Sequence, residues 1–170
     1  MDISKIVRDV PDFPIKGIVF KDITPVLQDE KAFSEAIRMM DEKIDFSKVD
    51  KIAGIESRGF IFGSILAYKH NKGFVPIRKK GKLPYATIEE TYALEYGEAT
   101  IEMHTDAVAK GERVLIVDDL LATGGTTKAT ATLIERSGGT IEGMLFLIEL
   151  DSLEGRKKVE KYRISSIIHY

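Results

Sequence analysis

Two adjacent carboxylates, Asp118 and Asp119, close an apolar run, and a Thr-Gly-Gly-Thr turn follows them in the segment VLIVDDLLATGGTT, Val114 to Thr127. Gly124 and Gly125 allow a backbone to approach a ligand closely. Thr123, Thr126 and Thr127 carry hydroxyls, and a helix starting at this point turns unpaired N–H groups toward an anion. Charge at a helix N-terminus contributes only about 0.3–1 kcal/mol, so a phosphate held here needs several converging hydrogen bonds. Adjacent residues of an extended segment point to opposite sides, so at least one of the two acids can face a cleft and accept from sugar hydroxyls. The chemistry is recognition of a phosphorylated sugar. An isolated Gly-Gly turn is more often a plain strand-turn-helix corner, but the full run is hard to explain that way, and it has neither the GxxxxGK[ST] nor the GxGxxG spacing.

Cations suited to phosphate oxygens occur in two other places. Arg58 lies in a polar turn, Glu56 to Gly59, and its forked donors suit pyrophosphate. Arg78, Lys79 and Lys82 lie in a basic loop, Arg78 to Pro84, which could reach the same group; the alternative is a solvated charge run. His70, His104 and His169 have no metal-ligand spacing, and with no cysteine in the chain, disulfides, thiolate nucleophiles and Cys-based zinc sites are excluded.

The elements that must position these residues follow from periodicity. Val10 to Pro25 is rich in Pro and Gly and reads as an ordered, partly apolar arm suited to a lid. Lys31 to Ile44 has helical spacing. Lys51 to Ile55 reads as a strand, Phe60 to His70 as an apolar helix and Phe74 to Ile77 as the next strand. Thr91 to Tyr96 and Ala99 to Met103 suggest a mobile hairpin around Gly97. Val114 to Asp118 reads as a buried strand, Ala122 to Thr126 as a turn, Thr127 to Arg136 as a helix and Ile141 to Leu150 as another strand. The alternation predicts an α/β fold, a mainly parallel central sheet flanked by helices, with ligands at the carboxyl ends of the strands.

The chain has 170 residues, 44% hydrophobic and 31% charged, within the range of one folded domain spanning 1–170. A formal net charge of −2 offers no positive footprint for nucleic acid. No long apolar segment suggests a signal peptide or membrane span, so a cytoplasmic protein is expected.

The Val114 to Thr127 run resembles the motif by which type I phosphoribosyltransferases bind 5-phosphoribosyl pyrophosphate (PRPP). The resemblance implies that Asp118 and Asp119 contact the ribose hydroxyls and that Ala122, Thr123, Gly124, Gly125 and Thr126 wrap the 5-phosphate. DFPIKGIVFKDITPVL, Asp12 to Leu27, is similar to the amino-terminal arm of adenine phosphoribosyltransferases. GIESRGFIFG, Gly54 to Gly63, is similar to their pyrophosphate loop, and IRKKGKLP, Ile77 to Pro84, and YALEYG, Tyr92 to Gly97, match further blocks in the family's order. The likeness extends from about Asp12 to Arg156.

What the family implies is a small N-terminal hood, about residues 1–30, closing over adenine, with Val19, Phe20 and Lys21 lining the base site and Leu150 on its other side. Lys21 stands where many family members carry Arg, and an ammonium does not reproduce a planar guanidinium; a backbone contact survives that change. Glu95 matches a residue that exchanges a proton with the purine. The implied reaction converts adenine and PRPP to AMP and pyrophosphate, with Mg²⁺ held mainly through substrate phosphates, in a homodimer with shared sites. A phosphoribosyltransferase for another base is the nearest rival. A sensor of PRPP that lacks catalysis is the rival from another class.

Overall fold

The computed structural model describes residues 1–94 and 97–170. Residues 1–42 and 43–170 form two compact units. In the first, the Pro-rich arm is a hairpin: β1 (Arg8–Pro11) pairs antiparallel with β2 (Val19–Asp22), with Pro11 opposite Val19. The loop between them is closed by Asp12, whose carboxylate accepts from the Gly17 N–H at 2.7 Å. Pro25 lies in the first turn of α1 (Thr24–Gln28), where the N–H it lacks has no partner to lose. α2 (Glu30–Asp41) buries Ala32, Ala36 and Met40 at helical spacing, and Ile44, expected at its end, lies beyond it.

The second unit is built on a seven-stranded sheet. Its strands are β3 (Lys51–Ile55), β4 (Gly73–Lys79), β5 (Thr87–Ala93), β6 (Glu98–His104), β7 (Arg113–Leu121), β8 (Thr140–Glu149) and β9 (Ile164–His169), in the order β5-β6-β4-β3-β7-β8-β9. The pairs β4·β3, β3·β7, β7·β8 and β8·β9 are parallel, while β5 and β6 add an antiparallel hairpin at one edge. Val114, Leu115, Ile116 and Val117 of β7 have no exposed surface. A strand covered on both faces reads as an unbroken apolar run rather than an alternation, which is why this one was visible in the sequence. α3 (Arg58–Lys69) follows β3 and α4 (Gly125–Arg136) follows β7, so both helices start at the carboxyl ends of neighbouring parallel strands.

Several boundaries depart from the sequence reading, and for β4 and β7 the physical reason is that strands end where their partners end. β4 continues past Ile77 because Arg78 and Lys79 pair with Glu102 and Ile101 of β6, so both cations belong to a strand end and only Lys82 lies in the loop. β7 continues through Leu121 because Leu120 and Leu121 pair with Ile148 and Glu149, which places both acids inside a strand. α3 begins at Arg58 rather than Phe60, and α4 at Gly125 rather than Thr127. β9, for which the sequence carried no expectation, completes the sheet beside β8.

Candidate active site

The carboxyl ends of β3, β4 and β7 converge on a cavity of about 330 Å³ bordered by Glu56, Ser57, Arg58, Lys79, Asp118, Asp119 and Leu120. Arg58, the first residue of α3, donates from Nε to Asp119 Oδ2 at 2.5 Å. The Asp119 side chain is almost wholly buried while the Arg58 side chain keeps 42% of its surface, so the arginine is the more accessible member of the pair. Asp118, partly buried, borders the same cavity. Burial, then the neighbouring charge of Asp119, pushes its carboxyl well above the usual range. A Cβ on Gly59 would stand 2.7 Å from the Val117 carbonyl oxygen and 2.9 Å from Asp118 Oδ1, so the helix can pack this close to the acids only with glycine there. The Glu56–Ser57 peptide bond at the rim is cis.

Beyond β7 the chain passes Ala122 and the exposed Thr123 to Gly124, which takes φ +77° and forms the N-cap of α4. Gly124 has no side chain with which to cap this helix, so among the described residues no side chain closes its first N–H groups at the turn. A Cβ on Gly124 would lie 2.4 Å from the carbonyl oxygen of Gly155. Gly155, to which the sequence reading gave no role, thus braces the turn from behind. Thr126 in the first turn shares a 2.7 Å hydrogen bond with the Tyr92 hydroxyl of β5.

The basic residues are not equivalent. Arg78 Nε donates to Glu56 Oε2 at 3.2 Å and its Nη1 to the Lys82 carbonyl at 3.2 Å, so Arg78 braces the loop that carries Lys82. Burial favours a raised pKa for Glu56, but the Lys79 N–H and the Arg78 guanidinium outweigh it and hold the carboxyl below its ordinary value. Buried Glu102 accepts from the Lys82 and Leu83 N–H groups at 2.9 and 2.8 Å and fixes the other side of that loop. Among the described residues, no ion pair engages the Lys79 or Lys82 ammonium, and both side chains belong to exposed residues. Glu56 and Lys79 also border a second cavity of about 500 Å³, lined as well by Tyr92, Ile101 and Thr126. Glu102 and Gly155 were missed by sequence reasoning, and Glu56 and Tyr92, though inside segments it singled out, were given no role; each acts through a partner distant in the chain.

Of the residues implied for the base, Val19, Phe20 and Lys21 lie on β2 in the first unit, Val19 exposed and the Phe20 ring edge-on to Phe13 at 5.3 Å. The Lys21 ammonium meets Asp9 at 2.7 Å. Leu150, in the second unit, follows β8 directly, and its N–H donates to the Leu121 carbonyl at the end of β7. Glu95 lies outside the described residues. His70 stacks on Phe46 and His104 accepts from the Tyr85 N–H. His169 meets Asp151 beside Glu149, whose carboxylate is already taken by Arg156 and Ser166.

A family model described as a phosphoribosyl transferase domain matches residues 24–169. Along all of both chains, the sequence is 56% identical over 170 residues to an adenine phosphoribosyltransferase of Brachyspira hyodysenteriae. The chain belongs to the adenine phosphoribosyltransferase family. The crystal structure of adenine phosphoribosyltransferase from Thermoanaerobacter pseudethanolicus superposes with a TM-score of 0.97 at 53% identity, covering 99% of this chain and 98% of that one. The Saccharomyces cerevisiae enzyme, solved with an imino-altritol bisphosphate and adenine, gives a TM-score of 0.93 at 36% identity, covering 98% and 96%. The fold is that of the type I phosphoribosyltransferases, as the motif of β7 and α4 led one to expect. No helix among the described residues is long and apolar enough to cross a membrane.

Proposed function

We propose that this chain transfers the 5-phosphoribosyl group of PRPP to adenine, forming AMP and releasing pyrophosphate. The observation that carries the reading is the end of β7, where two acids sit in a strand and an uncapped helix start follows at Gly124. In this reading Asp118 and Asp119 accept from the ribose hydroxyls, and the N–H groups and hydroxyls from Ala122 to Thr126 donate to the 5-phosphate. Positive charge grows on the ribose ring as the bond to pyrophosphate breaks, and the acids face that side. Negative charge grows on the leaving group, and the cationic side chains assigned to it in this reading are Arg58 and Lys79, which border the cavity, and Lys82 in the adjoining loop. Arg78 contributes by holding the Lys82 loop in place. Val19, Phe20, Lys21 and Leu150 receive the base, and Glu95 exchanges a proton with it.

Mg²⁺ belongs to the reading as a partner of the substrate. Of the three carboxylates bordering the cavity, Asp119 is engaged by Arg58 and Glu56 by Arg78 and the Lys79 N–H, while Asp118 accepts from the Asp119 N–H. The donor set therefore suits a hard cation that takes most of its oxygens from phosphate and water. Bound that way, it supplies charge neutralisation on the pyrophosphate. A single phosphoribosyltransferase domain over 1–170 with a hood at about 1–30, assembly as a homodimer and residence in the cytoplasm complete the proposal. They rest on resemblance to the family.

The test offers PRPP and Mg²⁺ with adenine, hypoxanthine, guanine or orotate separately and follows pyrophosphate release. AMP from adenine alone is the expected result, with Glu95→Gln lowering mainly kcat. Turnover of another base instead overturns the base assignment; PRPP binding with no turnover favours the sensor.

A further inference from the structure

The hydrogen bond between Tyr92 and Thr126 joins residues 34 positions apart, and both side chains line the 500 Å³ cavity. Tyr92 belongs to β5, paired with Ala99 across the hairpin, and is partly buried against the sheet core. Its ring also packs on the α4 start: a Cβ on Gly125 would be 3.1 Å from the ring carbon Cδ2. The ring is therefore fixed by packing, and the phenolic oxygen is held 2.7 Å from Thr126 Oγ1.

Each hydroxyl has one proton to donate and two lone pairs with which to accept. If Thr126 donates to Tyr92, its proton is spent inside the protein. If Tyr92 donates to Thr126, the Thr126 proton remains for an acceptor in the turn. A phosphate at the uncapped start of α4 is rich in acceptors and selects the second arrangement. The chain then runs from phenol to threonine to phosphate, and each bond polarises the next.

We infer that Tyr92 is a positioning residue for the phosphate turn, its hydroxyl donating to Thr126 Oγ1 and directing the Thr126 proton at the sugar phosphate. The inference rests on the phosphate reading of the turn. It also ties phosphate binding to the β5–β6 hairpin, because the same side chain belongs to both.

The experiment measures ribose 5-phosphate binding by calorimetry and steady-state kinetics with PRPP and adenine for wild type, Tyr92→Phe, Tyr92→Leu, Thr126→Ala and the double variant Tyr92→Phe/Thr126→Ala. Tyr92→Phe keeps the ring and loses the hydroxyl. It is expected to weaken ribose 5-phosphate binding and raise KM for PRPP about 3- to 10-fold, the range of one uncharged hydrogen bond, with kcat and KM for adenine within about 2-fold. The double variant is expected to be no worse than Thr126→Ala alone, because the two groups act through one bond. Wild-type binding and KM in Tyr92→Phe, with losses confined to Tyr92→Leu, reduce Tyr92 to packing and overturn the inference. Losses that multiply in the double variant overturn it too. Should the wild type bind ribose 5-phosphate yet make no AMP, the enzymatic reading fails while the binding series still decides on Tyr92; a wild type that does not bind it removes both.

Discussion

α2 and α4 are both twelve residues long, and their beginnings are built in opposite ways. At α2 the Asp29 carboxylate accepts from the N–H groups of Lys31 and Ala32 at 3.0 and 2.8 Å, a closed N-terminus that has no need of a ligand. At α4 the N-cap is Gly124 in the left-handed region, with no side chain to accept from the first turn. α3 shares this openness, beginning at Arg58 with no side-chain cap beside the paired acids of β7. Both α3 and α4 start at carboxyl ends of adjacent parallel strands, where α/β folds bind ligands, and α2 does not follow a strand of that sheet. Donors left unsatisfied by the protein are the donors available to an anion.

The severest way to break this contrast is to change Gly124. Alanine there must adopt a positive φ and place its Cβ within 2.4 Å of the Gly155 carbonyl oxygen, so the turn or the Gly155 segment has to move. Gly124→Ala is expected to lose about 2–4 kcal/mol of stability from strain and overpacking. Use of PRPP should fall by more than about 100-fold as several converging hydrogen bonds are misplaced together. Urea melts and KM for PRPP check both; a KM within 2-fold of wild type means the open turn is not where phosphate binds.

Asp118→Asn sharpens the contrast by separating function from stability. The raised pKa of Asp118 means that the native state holds its proton more tightly than the unfolded chain does. Its contribution therefore turns against folding as pH rises above the unfolded carboxylate value of about 3.9, and it levels off above the folded value. A neutral amide removes that burden. The variant is expected to melt higher than wild type at pH 7, with the difference shrinking toward pH 4. Its kcat/KM for PRPP should fall about 10- to 100-fold for the lost charge-assisted hydrogen bond. A lower melting temperature at pH 7 instead means that the ionised carboxylate is stabilised in the fold, Arg58 being the nearest candidate.

Such residues also show what a sequence makes legible. The middle of β7 could be read because burial on both faces leaves a local mark, four successive apolar residues without exposed surface. The acids and glycines after it could be read because their chemistry and spacing are contiguous. Strand ends could not, since Arg78 and Lys79 are in a strand only through Glu102 and Ile101 of β6. The partners of the site residues were equally hidden: Arg58 meets Asp119 across 61 positions, and Gly155 backs Gly124 from a segment with no recognisable period. The types of the functional residues lay in the sequence; what holds each of them in place lay in the tertiary pairing.

The smallest effect belongs to Asp29, and it is the control for the whole comparison. Asp29→Ala removes the acceptor of two N–H groups at the start of α2, a change expected to lower stability by about 0.5–2 kcal/mol. Water can replace the lost acceptor at this exposed end, which keeps the loss small. Nothing in the proposed chemistry uses these donors, so KM for PRPP and for adenine and kcat are expected to stay within about 2-fold of wild type at temperatures where the variant is folded. If instead the variant lost PRPP affinity as steeply as Gly124→Ala, the effect of any helix start would reach the site through general loosening of the fold. The open turn of α4 would then have no special claim on the phosphate. A fall in melting temperature with unchanged kinetics leaves that claim with α4, whose N-cap glycine offers no side chain to the first N–H groups and is braced from behind by Gly155.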